Sequence, residues 1–299
     1  MNYTIKNEKL TATFSTLGAE LRSLKGASGI EYLWQGAEGY WGGCAPILFP
    51  ICGRLCEGKY TYRGREYEMR LHGFARRTEF EVISHSDSEL IFALHESEVT
   101  LAQYPFRFTL ELIYRLEDDV LTTTFRVTAE DEKPLIFTVG AHPGFNVPWQ
   151  VGEEYEDYYV EFFDNAPRYN LTFSENGLYT GIRTPLAMED GRRISLRHDL
   201  FDNDALFLEG EIPFVKDGVH ELSLRSKKNP TTLTVRYGDM ARVGLWKDNR
   251  TTAPFLCIEP WYGIPAYEGV TDDLESKEQM IHLEKGGVYE ASYSIQITE

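Results

Sequence analysis

The stretch "LTTTFRVTA", residues 121–129, alternates between two sets of side chains at every position. One set is mostly apolar, and it comprises Leu121, Thr123, Phe125, Val127 and Ala129. The residues between them are polar or charged. Successive side chains of a β-strand point to opposite faces, so this pattern predicts a strand with one face in the core and the other in water.

The same period returns on both sides of this stretch. It is present in "KLTATF" (9–14), "TLELIYRL" (109–116), "LTVRY" (233–237) and "VYEASYSIQI" (288–297). Turn signals such as "LEDD" (116–119) and "EDGR" (189–192) lie between such segments. Many strands without long alternating helices predict an all-β fold, a large antiparallel β-sandwich or barrel.

Helical patterns are short and few. "ESEVTLAQY" (96–104) and "DDLESKEQM" (272–280) each have room for about two turns of helix. No linker, fixed-period repeat or low-complexity tract interrupts the strand pattern. We therefore expect one domain over residues 1–299.

Charge and composition exclude several classes of partner. The formal net charge is −17, which disfavours nucleic acid and anionic lipid. No run approaches the 18 apolar residues that a membrane helix needs, and the first residues lack the apolar core of a signal peptide. The expectation is a cytoplasmic protein without nucleic-acid or membrane partners.

The cysteines do not predict a metal site. Cys52 and Cys56 are separated by three residues, and no second Cys or His pair lies near them in sequence. This spacing is poor for zinc, so we expect reduced thiols and no metal. Phosphate-binding glycine loops and the G-x-S-x-G elbow are absent from the sequence, which gives no support to a nucleotide cofactor or a serine hydrolase.

Two histidines lie in glycine-rich settings. In "TVGAHPGFNVP" (138–148), His142 lies between Gly140 and Gly144 and is followed by Pro143. In "LHGFAR" (71–76), His72 precedes a glycine and an aromatic residue. A histidine on a rigid turn at the rim of a sheet is well placed for chemistry, although a single one is usually structural.

Three further residues stand out as candidates. Glu259 follows four apolar residues in "FLCIEPW" (255–261), and a carboxylate at the end of a buried strand is costly unless it is paired or functional. Arg54 follows Gly53 near the end of "APILFPICGRL" (45–55). It is either a surface residue at a strand end or a hydrogen-bond donor to an oxygen-rich ligand. For Asp204 in "FDNDALFLEG" (201–210), the local sequence favours a turn or helix-cap residue.

Taken together, these stretches resemble the aldose 1-epimerase (galactose mutarotase-like) family, most closely its LacX-type branch. The resemblance runs over nearly the whole chain and includes "STLGAELRSLKG" (15–26), "LHGFAR", "GAHPGFNVP" and "CIEPWYGIP" (257–265) in order. It implies a large antiparallel β-sandwich that interconverts the anomers of free aldoses without metal or cofactor.

The resemblance also implies roles for individual residues. His142 matches the general acid and Glu259 the general base, which we expect on opposite sides of the sugar. Arg54, His72 and, on a looser alignment, Asp204 match ligands of the sugar hydroxyls. Aromatic residues such as Trp41, Phe145 or Trp261 suit the faces of the sugar.

The motifs depart from the better-known family pattern at two positions. Gly144 and Trp261 stand in "HPGFN" and "IEPW" where other members have "HPYFN"-like and "TEPQ"-like motifs. These two differences do not affect the expected reaction type, because the acid/base pair is intact, but they change the expected shape of the sugar pocket. A non-catalytic sugar sensor, a hexose-phosphate epimerase and a two-carboxylate glycosidase remain alternatives on the same scaffold.

Overall fold

The computed structural model describes residues 1–210, 220–248 and 252–299. Its one α-helix in these ranges is α1, Glu98–Gln103, and short 3-10 turns cover Cys56–Gly58, Ala75–Arg77, Tyr155–Asp157 and His198–Phe201. The described strands are β1 (Asn2–Lys6), β2 (Thr11–Ser15), β3 (Leu21–Lys25), β4 (Ile47–Leu48), β5 (Lys59–Tyr62), β6 (Arg65–Glu68), β7 (Glu81–His85), β8 (Glu89–His95), β9 (Phe108–Glu117), β10 (Val120–Ala129), β11 (Leu135–Phe137), β12 (Gly140–Ala141), β13 (Gly144–Asn146), β14 (Tyr158–Phe162), β15 (Arg168–Phe173), β16 (Tyr179–Pro185), β17 (Arg193–Ser195), β18 (Leu206–Gly210), β19 (Glu221–Ser226), β20 (Thr232–Arg236), β21 (Arg242–Trp246), β22 (Phe255–Trp261), β23 (Asp272–Asp273), β24 (Ile281–Leu283) and β25 (Val288–Thr298).

Strand β10 lies inside a nine-stranded antiparallel sheet of order β17-β14-β19-β20-β25-β10-β9-β8-β7. Leu121 faces Ile295 of β25 on one side and Leu116 of β9 on the other. Every second residue of β10 is buried, as its alternation predicts. A two-residue turn at Asp118 and Asp119 joins β9 to β10 where "LEDD" indicated a turn.

A second antiparallel sheet has the order β16-β15-β18-β21-β22-β12-β4, with β13 also paired to β22. Leu256 and Ile258 of β22 pack into the same buried cluster as Phe125 and Val127 of β10. Because the inner faces of both sheets share this core, the predicted antiparallel sandwich is confirmed. The alternate residues of β22 include Glu259, which faces away from this core.

The two predicted helices have different outcomes. The first forms as α1, where the side chain of Ser97 accepts a hydrogen bond from the Thr100 amide at 3.2 Å. The second prediction, over 272–280, is wrong, because β23 pairs in parallel with β5 and a turn follows it. The Asp273 carboxylate accepts a hydrogen bond from the Glu275 amide at 2.9 Å, so the acidic residues stabilise a turn. None of the helices in the described ranges is long and apolar enough to span a membrane.

Candidate active site

Strand β22 brings His142 and Glu259 together. Gly140 pairs with Trp261 and Gly144 with Cys257, so the turn between β12 and β13 passes in front of Glu259. His142 Nε2 lies 3.2 Å from Glu259 Oε1. The two residues are only 8% and 4% exposed, so they form a buried, contacting pair.

The glycines around His142 permit close packing. A Cβ at position 140 would lie 2.8 Å from Cys52 Sγ, and one at position 144 would lie 2.9 Å from the Trp41 ring. Real side chains essentially never approach so closely, so any larger residue would displace a neighbour. Gly144 therefore makes room for Trp41, whose ring lies 4.9 Å from that of His142, centroid to centroid.

Burial opposes charge on both members of the pair. It lowers the pKa of His142 to about 3, and the positive charge of Arg76 acts in the same direction. Burial raises the pKa of Glu259 well above its usual range, and the neighbouring Asp204 carboxylate raises it further. The one titratable proton that the two groups share therefore rests on the carboxyl group, beside a neutral imidazole.

His72 is a neutral imidazole with a single defined tautomer. The Gly53 amide donates a hydrogen bond to His72 Nδ1 at 3.1 Å, so the ring proton of the neutral imidazole is on Nε2. Burial lowers the pKa of His72 well below its usual range, which keeps the ring neutral. Its backbone has a φ of +63°, in the left-handed region. His72 can thus present one N–H donor to an oxygen atom.

Asp204 is oriented by an indole that the sequence did not single out. Trp246 Nε1 donates a hydrogen bond to Asp204 Oδ1 at 3.0 Å. The backbone of Asp204 lies in a turn with a φ of +74°, consistent with the local turn interpretation. Its side chain nevertheless lines the same cavity as Glu259. Asp204 is therefore both a turn residue and a candidate ligand.

Arg54 lies at the exposed rim of this cavity. The preceding Gly53 has a φ of +80°, and a Cβ there would lie 2.6 Å from Pro265 Cγ, so this turn requires glycine. Within the described ranges, no carboxylate forms an ion pair with Arg54. Its guanidinium is available to a ligand with oxygen acceptors.

All five predicted residues line one cavity of about 380 Å³. This volume is in the range of small-molecule sites. Trp41 and Trp261, two of the three aromatic residues suggested for the sugar faces, also line the cavity. The suggestion for Phe145 is wrong: its side chain is fully buried in the sandwich core, because Phe145 and Gly144 point to opposite faces of β13.

Arg76 is a cavity residue that sequence reasoning missed. It ends the motif "LHGFAR", is half-buried and lines the cavity beside His72 and His142. None of the described carboxylates lies within ion-pair distance of it. Arg76 belongs to the motif "LHGFAR", but only His72 of that motif was identified as a candidate. Nothing in the local sequence distinguishes the half-buried Arg76 from the exposed Arg77.

Comparisons with known proteins agree with this architecture. The family model "Aldose 1-epimerase" matches residues 1–296. The plasmid and chromosomal LacX proteins of Lactococcus lactis subsp. lactis are each 35% identical to this chain over 308 aligned positions. The alignment covers 99% of this chain and 99% of each LacX protein.

Solved structures give the same result. A galactose mutarotase related enzyme from Lactobacillus acidophilus is 36% identical, with a TM-score of 0.93 over 100% of this chain and 98% of that one. A galactose mutarotase-like protein from Lactobacillus casei ATCC 334 is 30% identical, with a TM-score of 0.92 over 100% of both chains. The predicted resemblance is confirmed, and the chain belongs to the aldose 1-epimerase family.

Proposed function

We propose that this protein is a cofactor-independent aldose 1-epimerase that interconverts the α and β anomers of a free aldose. The observation that carries the proposal is the 3.2 Å contact between His142 Nε2 and Glu259 Oε1 at a cavity of small-molecule size. Polarimetry on a freshly dissolved α-anomer tests it, since the protein should speed the approach to the equilibrium rotation.

The reaction needs two proton transfers in each direction. Glu259 as carboxylate takes the proton of the C1 hydroxyl, while His142 as imidazolium donates a proton to the ring oxygen, and the bond between C1 and the ring oxygen breaks. Rotation about the C1–C2 bond then presents the other carbonyl face. The same steps in reverse close the ring and restore the protons of both groups.

Direct contact between the two groups suits this chemistry. The sequence interpretation put them on opposite sides of the sugar, but His142 and Glu259 touch each other. The C1 hydroxyl and the ring oxygen are both bonded to C1, so neighbouring groups can reach both. The catalytic form arises when one proton moves from the carboxyl to the imidazole. The charge of Arg76 favours the carboxylate in this form and opposes the imidazolium.

We infer that Arg54, His72 and Asp204 hold the sugar hydroxyls. Arg54 and the Nε2–H of His72 supply donors, and the Asp204 carboxylate, fixed by Trp246, supplies acceptors. None of the three is needed for the two proton transfers. We place this activity in the cytoplasm, because the four cysteines are free thiols and a reducing compartment preserves them.

Arg54→Ala should raise KM by roughly ten- to a hundredfold with a smaller fall in kcat, because a charged hydrogen-bond partner of the sugar is lost. His72→Ala should do the same more weakly. Steady-state anomer exchange on both variants checks this, with the exposed Arg70→Ala as a matched control that should behave as wild type. A constant KM with a collapsed kcat would assign these residues to the transition state instead.

Exhaustive chelation should not lower the activity, because the proposed proton transfers use side chains alone. The measurement is the exchange rate before and after dialysis against a strong chelator, followed by removal of the chelator. A large loss that a divalent ion restores would show that the reaction depends on a metal.

The position of Arg76 in the cavity supports a second candidate substrate, a phosphorylated aldose. Arg54 and Arg76 both line the cavity, neither forms an ion pair within the described chain, and guanidinium groups bind phosphate well. If this candidate is correct, Arg76→Ala should raise KM for a hexose 6-phosphate by about tenfold or more and change KM for the free hexose little. The neighbouring Arg77→Ala is the control. Equal effects on both sugars would rule out phosphate recognition by Arg76.

A further inference from the structure

Cys257 is a buried nucleophile that the proposed mechanism does not use. It precedes Glu259 by two residues on β22, so both side chains are on the same face of the strand. Its thiol is fully buried in an aromatic cluster with Trp34 and Phe255, against which Trp41 packs. Trp41 also packs against the His142 ring, so Cys257 and the acid/base pair share this aromatic neighbour.

Three different ligand atoms converge at this point. A ring nitrogen of His142, Cys257 Sγ and a carboxylate oxygen of Glu259 all lie within 4.8 Å of one another. Nδ1 of His142 is buried and has no hydrogen-bond partner among the described residues. Spacing along the sequence did not reveal this cluster, because β13 and β22 bring the histidine to the cysteine only in three dimensions.

We propose that His142, Cys257 and Glu259 form a binding site for a thiophilic divalent cation such as Zn²⁺, and that the bound cation inhibits the enzyme. Nitrogen, thiolate and carboxylate ligands suit Zn²⁺ and suit Mg²⁺ or Ca²⁺ poorly. Zinc holds such ligands at about 2.0–2.3 Å, so the three side chains must close in slightly around the ion. Water takes the remaining coordination position.

The charge and proton balance of binding is simple. The thiolate and the carboxylate neutralise the two charges of the cation, and the imidazole binds through an unprotonated nitrogen. Binding therefore releases the thiol proton of Cys257 and the proton shared by His142 and Glu259. Inhibition rests on the proposed acid/base role of that pair, whereas binding of the cation does not.

The test uses the full-length protein, first stripped with a chelator and then freed of it. Titration with Co²⁺ should give a thiolate-to-cobalt charge-transfer band in the near ultraviolet that saturates at one ion per chain. Competition against a chromogenic chelator gives the zinc affinity. Cys257→Ser should abolish the band and weaken zinc binding by at least about tenfold. Cys52→Ser, another buried thiol, and Cys56→Ser should keep both.

Zinc at the concentration that saturates the site should also stop anomer exchange by wild type, and a chelator should restore it. Cys257→Ser should keep near wild-type activity and lose this sensitivity. Absence of the thiolate band in folded wild-type protein, or its survival in Cys257→Ser, would overturn the site. Saturating zinc with undiminished exchange would overturn the inhibition. An inactive wild type that still shows the band would contradict the proposed function and leave the site supported.

Discussion

Glu259→Gln should slow anomer exchange by about 10²–10⁴-fold, because the side chain that accepts the C1 hydroxyl proton is replaced by an amide of the same shape. An amide oxygen is too weakly basic to take that proton. The fold should survive, since the change removes an ionisable group that burial already disfavours in its charged form. We expect an unchanged or higher melting temperature, as is common when active-site strain is relieved.

Glu209→Gln is the matched control for this result. Glu209 is another buried glutamate of the same sheet, but it pairs with Arg242 at 2.8 Å outside the cavity. Its substitution should lower the melting temperature and leave exchange per folded molecule unchanged, because it leaves Arg242 buried without its full charge partner. Near wild-type exchange by Glu259→Gln would remove Glu259 from the role of base.

His142→Asn should cause a loss of similar size, again about 10²–10⁴-fold, because the ring oxygen then has no proton donor. The double variant with Glu259→Gln should be little slower than either single variant, since groups that act as a unit are not additive. Circular dichroism and the melting temperature control for folding. Additive losses would show that the two side chains act independently.

The pH dependence of the wild type follows from the same contact. The pKa of His142 is lowered to about 3 and that of Glu259 is raised, so the two groups together hold one titratable proton at every pH between those two pKa values. Moving that proton from Glu259 to His142 does not change the number of protons on the pair. The value of kcat/KM should therefore be level across neutral pH, and should fall in acid as His142 gains a second proton and in alkali as the pair loses its proton.

The strands were predictable because apolar residues occupy the buried face of a strand and polar residues the exposed face, which gives an alternation visible in the sequence. Alternation in 121–129 indicated β10 directly. Its register, which the sequence did not predict, places Leu121 opposite Leu116 and Ile295 and buries the apolar face. The segment 272–280 was misread because its acidic residues suit a helix start and a turn equally well, and pairing of β23 with β5 decides between them.

The individual site residues were predictable, but their contacts were not. His142 and Glu259 stood out because each lies in a glycine- or proline-fixed setting, and their motifs matched a family. Their direct contact depends on how β22 pairs with β12 and β13, which local sequence does not state. The same pairing hides Phe145 in the core. Trp246 and Arg76 join the site through the pairing of distant segments.

The most direct test of the central claim is NMR exchange spectroscopy between the α and β anomers of an aldose. The wild type should increase the exchange rate in proportion to protein concentration, and the double variant of His142→Asn and Glu259→Gln should leave the rate in buffer unchanged. A wild type that binds the same sugar, as shown by line broadening or calorimetry, but does not increase the rate would contradict the claim and indicate a sugar sensor.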